Sequence, residues 1–131
     1  MSNEKPIMIA HWVTRIIAAG ILAMGAIPKF TGGAAELAEK LPGGNAAAIG
    51  IGAAEIIAIV VMLVPKTSMY GSALAAVIML GAIGSHIVGP VGMEGDFATM
   101  FGMAIVAFLA ATAATVIAIK RSKGVPATLT T

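Results

Sequence analysis

The chain has no cysteine, one tryptophan and one tyrosine, and only 11% of its 131 residues are charged. Each scarcity excludes something. Without cysteine there is no disulfide, thiolate metal site, iron–sulfur cluster or cysteine nucleophile. With so few large aromatic rings and no long Lys/Arg run, the net charge of +2 is not a nucleic-acid signature, and no nucleic-acid partner is expected. There are only 2 histidines. His11 and His86 are far apart and no ligand spacing joins them, so no metal is expected. No serine triad, P-loop, dinucleotide fingerprint or deaminase motif is present, and no residue is assigned a catalytic role. Gly50-Ile51-Gly52 sits inside an apolar run and has no phosphate-binding context.

What fills the chain instead is apolar: 59% of it is hydrophobic, and its mean hydropathy is +1.00. A soluble domain carries about 25% charged residues. A chain this small has much surface for its volume, and so few charges cannot cover it. Its solvent must itself be apolar. Four apolar runs, at about residues 7–28, 46–64, 69–88 and 97–119, are each long enough as a helix to cross a hydrocarbon layer of about 30 Å. Pro28, Pro65 and Gly89-Pro90 punctuate the first three as helix stops, and Lys120-Arg121 ends the fourth. The first run is too long for a signal-peptide core, contains His11 and Arg15, and lacks a convincing cleavage site, so it reads as a retained helix.

The expected fold class is therefore all-α, a single membrane domain over residues 1–131 built as a four-transmembrane-helix antiparallel bundle. Between the first two spans, residues 33–41 place Ala34, Leu37, Ala38 and Leu41 at helical spacing, with Glu36, Glu39 and Lys40 opposite. That pattern predicts a short amphipathic helix lying in the interface. Residues 89–96 read as a turn, and residues after Lys123 as a frayed tail. Lys5, Lys66, Lys120, Arg121 and Lys123 fall on the side of the termini, against Lys29 and Lys40 on the other. This bias predicts that both termini face the cytoplasm across an inner (cytoplasmic) membrane. Trp12 and Tyr70 read as an aromatic belt on the terminal side.

Small residues let membrane helices approach. Ala48-x-x-x-Gly52, Gly71-x-x-x-Ala75, Gly81-x-x-x-Ser85 and the stripe Ala107, Ala111, Thr115 and Ala118 are expected to face neighbouring helices. Ionisable residues inside the spans are expensive, so they should face inward and find partners. Counting from the run ends puts Arg15 and Glu55 near mid-membrane on antiparallel neighbours, which predicts an Arg15–Glu55 ion pair. Two roles are open to it: a lock between the first two spans, or a ligand site in which Arg15 tunes Glu55. His11, one turn from Arg15, is either a satisfied hydrogen-bonder or a proton relay. Lys29 and His86 fall toward the opposite face and are expected to share a vestibule beneath the short helix.

Gly25-Ala26-Ile27-Pro28-Lys29-Phe30, Gly52-Ala53-Ala54-Glu55 and Gly81-Ala82-Ile83-Gly84-Ser85-His86 together resemble the DoxX-like family of small bacterial membrane proteins. The resemblance lies in the order and spacing of short motifs over about residues 11–90. The chain departs from the pattern at Pro28, and at Gly89-Pro90 where relatives often have Gly-Asp. What it implies is an accessory or binding subunit, without catalytic activity alone, linked to a quinone-dependent redox partner. A quinone is the cofactor that an apolar site with one Arg or His donor would suit. Rival readings are a small proton-coupled transporter or channel acting as a homo-oligomer, and an assembly factor or scaffold that uses neither charge chemically.

Overall fold

In lipid the backbone must satisfy its own hydrogen bonds, and each apolar run does so as a helix. The computed structural model describes residues 4–124, and contains α1 (Glu4–Thr31), α2 (Ala35–Lys40), α3 (Gly44–Leu63), α4 (Ser68–Ile87) and α5 (Asp96–Gly124). A single 3-10 turn, Pro65–Thr67, joins α3 to α4, and no strand occurs among the described residues. Four of these helices are long and apolar enough to cross a bilayer, and the chain is a multi-pass membrane protein. The four pack as a ring in which α1 touches α3 and α5, and α4 touches the same two from the opposite corner. Of the tail expected after Lys123, Gly124 still belongs to α5 and residues 125–131 lie outside the described residues.

The core is built mostly of alanine. Ala18, Ala19 and Leu22 of α1 meet Ala58 and Met62 of α3, Ala75 and Met79 of α4, and Ala104, Ala107 and Ala111 of α5. Side chains this small leave the backbones close together, which is how helices gain packing energy where lipid supplies no hydrophobic drive. The larger residues turn outward: Ile16, Ile57, Val77 and Leu109 are all more than half exposed. The Ala48/Gly52, Gly71/Ala75 and Ala107/Ala111/Ala118 positions are buried, as the small-residue spacing predicts. Gly81 is not: it is exposed, with nothing near its Cα hydrogens, because the inward face of α4 at that level is taken by Met79 and His86.

Proline ends one span and not another. Val64, ahead of Pro65, is extended (ψ 121°), and α3 stops there as the residue before a proline favours. Pro28, expected to end the first span, sits within α1, which runs on to Thr31. A proline removes one N–H, which leaves the Met24 carbonyl unpaired. Side chains reinforce the last turn, with the Thr31 hydroxyl donating to the Ile27 carbonyl and Lys29 donating to that of Gly25. The extra turn places Lys29 on the buried face. Likewise α5 continues past Lys120-Arg121 to Gly124, since charge ends a membrane span and not a helix.

The short α2 also differs from expectation in what covers it. Its apolar residue Leu37 packs on Val91 and Phe97, with Ala34, Leu41 and Met100 alongside. The apolar face meets protein, and α2 roofs one end of the bundle. Glu36 and Glu39 are exposed.

The closest crossing is between α3 and α4, where a methyl added at Gly71 would overlap the backbone of Met62. Gly71→Ala is therefore expected to lower the stability of the detergent-solubilised protein by about 1–3 kcal/mol, the usual penalty of overpacking. Gly81→Ala, with nothing within 4 Å of the new carbon, should be neutral. Thermal midpoints of the two variants check this, and equal values would mean the crossing is not rigid.

Candidate functional site

Helical side chains lean toward the N-terminus of their own helix. On α1 this aims Lys29 back toward the middle of the bundle; on the antiparallel α3 it aims Glu55 the opposite way, toward Lys29. They meet: Lys29 Nζ donates to Glu55 Oε1 at 2.7 Å and to the Gly25 carbonyl at 2.8 Å. Both side chains are nearly buried, at 7% and 4% exposure. Two glycines make the room. A methyl at Gly25 would stand 3.2 Å from Glu55 Oε2, and one at Gly52 would stand 3.0 Å from the Phe30 ring and 3.1 Å from Lys29 Cβ. One of the three ammonium hydrogens of Lys29 is left over, and so is Glu55 Oε2.

The expected Arg15–Glu55 pair does not form. Arg15 Nη1 donates to the Met62 carbonyl at 3.1 Å, near the end of α3. Seven residues, about 10 Å of helix, separate Met62 from Glu55. The side-chain lean widens that gap, because Arg15 points toward the chain termini and Glu55 away from them. Counting from the ends of the apolar runs misplaced the register, since α1 begins well before α3 ends. Arg15 is thus level with the end of α3 and not with Glu55. There it serves as a cation at the negative end of α3, satisfying one of the carbonyls a helix leaves unpaired. The Trp12 ring lies over its guanidinium, 3.9 Å away. His11 belongs to the same end, where Arg121 Nη1 lies 3.0 Å from its Nδ1.

Lys29, Glu55 and His86 line one cavity of about 550 Å³, as do Gly33–Leu37 at the α2 end. His86 is 5% exposed; its Nδ1 donates to the Gly92 carbonyl at 2.7 Å, and it lies among the rings of Phe97 and Phe101. A carbonyl can only accept, so the ring proton on that side is committed and Nε2 is left without a protein partner among the described residues. The remaining walls are mostly apolar, with Ile21 and Met24 of α1, Met79 and Ala82 of α4, and Met100 and Met103 of α5, while Glu36 and Asp96 add carboxylates at the exposed rim. Methionine is unbranched and polarizable, and suits an adaptable wall. Sequence spacing brought Lys29 and His86 to the same end; it missed the Lys29–Glu55 contact and the methionine lining. The lean of side chains on antiparallel helices was the available signal for the pair. No cluster of three or more His, Asp or Glu suited to a metal occurs among the described residues.

No protein-family model, characterised protein or solved structure matches the chain.

Removing one partner of a buried pair strands the other charge. Lys29→Met is expected to cost about 3–5 kcal/mol, and the double variant Lys29→Met/Glu55→Leu to regain most of that loss. Unfolding in detergent measures both. A double variant no more stable than the single one would show that the pair does not act as a unit.

Proposed function

We propose that the chain is a DoxX-like accessory protein of a bacterial cytoplasmic membrane that holds an amphipathic ligand of the quinone class in the Lys29–Glu55–His86 cavity, for use by a membrane redox partner. The observation that carries this reading is an apolar cavity with a charged pair in its wall that has hydrogen-bonding capacity to spare. Its volume of about 550 Å³ falls in the range of about 300–1,000 Å³ usual for small-molecule sites. A quinone fits the residues present. The spare Lys29 hydrogen is a donor for a ring carbonyl, Glu55 Oε2 and His86 Nε2 are acceptors for ring hydroxyls, and methionine and phenylalanine receive the apolar body. The quinone would supply the redox chemistry, while the protein binds it, orients it and keeps water away.

Binding is favoured over conduction because the cavity occupies one end only. Ala18, Leu22 and Met62, all fully buried, pack between it and the His11–Arg15 end. A proton-coupled transporter would need a path through that layer. The order of the Gly25–Lys29, Gly52–Glu55 and Gly81–His86 motifs supports the family reading, and the Lys/Arg excess at the terminal end supports cytoplasmic termini.

A short-chain quinone analogue at about 100 times its dissociation constant should stabilise the protein by about 2.7 kcal/mol, read as a raised thermal midpoint. His86→Phe should reduce the shift. No shift at saturation in the unaltered protein would remove the quinone from the proposal. For orientation, the absence of cysteine allows single-cysteine labelling without background. A cysteine replacing Ser122 should be protected from an impermeant maleimide in intact cells, and one replacing Glu36 should react. The reverse pattern would invert the topology.

A further inference from the structure

The end of the bundle opposite the cavity holds a second polar cluster, with a different deficit. His11 and Arg15 of α1 are 3% and 1% exposed, and Arg121 of α5 lies beside them. Arginine carries only donors, so the Arg121–His11 hydrogen bond makes His11 Nδ1 the acceptor and puts the imidazole hydrogen on Nε2. That buried Nε2–H has no partner, and neither has the buried Nε–H of Arg15. Among the described residues no carboxylate pairs with Arg15 or Arg121, since the Lys29–Glu55 bridge is the sole ion pair. Two permanent cations and two idle donors lie at this end of the bundle. The missing chemistry is an acceptor that carries negative charge.

We propose that the His11–Arg15–Arg121 cluster binds the phosphate of an anionic phospholipid headgroup. Arg15 contacts the Met62 carbonyl in the last turn of α3, next to the α3–α4 turn that carries exposed Lys66. The cluster therefore sits where the apolar length of α3 ends, at headgroup depth. Trp12 and Ile16, 38% and 59% exposed, flank Arg15 on α1 and give an acyl chain a surface to lie on. A zwitterionic headgroup would bring its own cation against two guanidiniums, so the site should prefer phosphatidylglycerol to phosphatidylcholine. It lies apart from the cavity, and its test does not depend on what the cavity holds.

The full chain in nanodiscs of graded phosphatidylglycerol and phosphatidylcholine content provides the test, read by thermal midpoint and by lipid adducts in native mass spectra. The expected result is a phosphatidylglycerol preference that falls about tenfold in Arg121→Gln, the weight of one charge-assisted hydrogen bond. Lys120→Gln, an exposed neighbour, should keep it. Equal losses in the two variants, or no preference in the unaltered protein, would overturn the proposal in favour of diffuse surface attraction. A shift with inorganic phosphate but none with phosphatidylglycerol would also overturn it, and make the ligand free phosphate. Should Arg121→Gln not fold, ionic strength decides with the unaltered protein. A preference that persists in about 0.5 M salt supports a buried site, and one that vanishes denies it.

Discussion

A lysine and a glutamate held 2.7 Å apart inside an apolar bundle set the terms for the rest of the molecule. Neither charge is tolerable alone at that depth, and each makes the other tolerable. To bring them together α1 must run past Pro28, α3 must pass close at Gly52, and Gly25 must leave the carboxylate its space. The pair fixes the mutual height of α1 and α3. At that height Arg15 of α1 meets the end of α3.

The two ends of the bundle use charge differently. At the roofed end a cation and an anion neutralise each other beside a cavity and retain spare hydrogen-bonding atoms. At the opposite end no acid pairs with Arg15 or Arg121 among the described residues, and Arg15 is set against a carbonyl of α3 and an indole face. The first is a pair of compensating charges and suits a ligand with polar atoms to donate and accept. The second is positive, at the level where α3 ends.

The alanine-rich core explains how a cavity survives in so small a protein. Over the lower half, Ala58, Ala75, Ala107 and Ala111 let the helices close completely. Toward the roofed end the facing residues become Met79, Met100, Met103 and His86, whose long side chains hold the helices apart without filling the space. The α2 segment then closes the top through Leu37, Val91 and Phe97.

Fold class, span number and the small-residue faces other than Gly81/Ser85 were legible in the sequence because they depend on composition and on a period of about 3.6 residues, both local properties. The inward placement of His11, Arg15, Lys29, Glu55 and His86 was legible for the same reason: lipid rejects such groups wherever they occur. Which of them met was decided only by the tertiary structure. Partner choice depends on the relative height of two helices and on the direction in which their side chains lean. Arg15 meets Met62, seven residues along α3 from Glu55, and that offset of about 10 Å could not be read from composition or period.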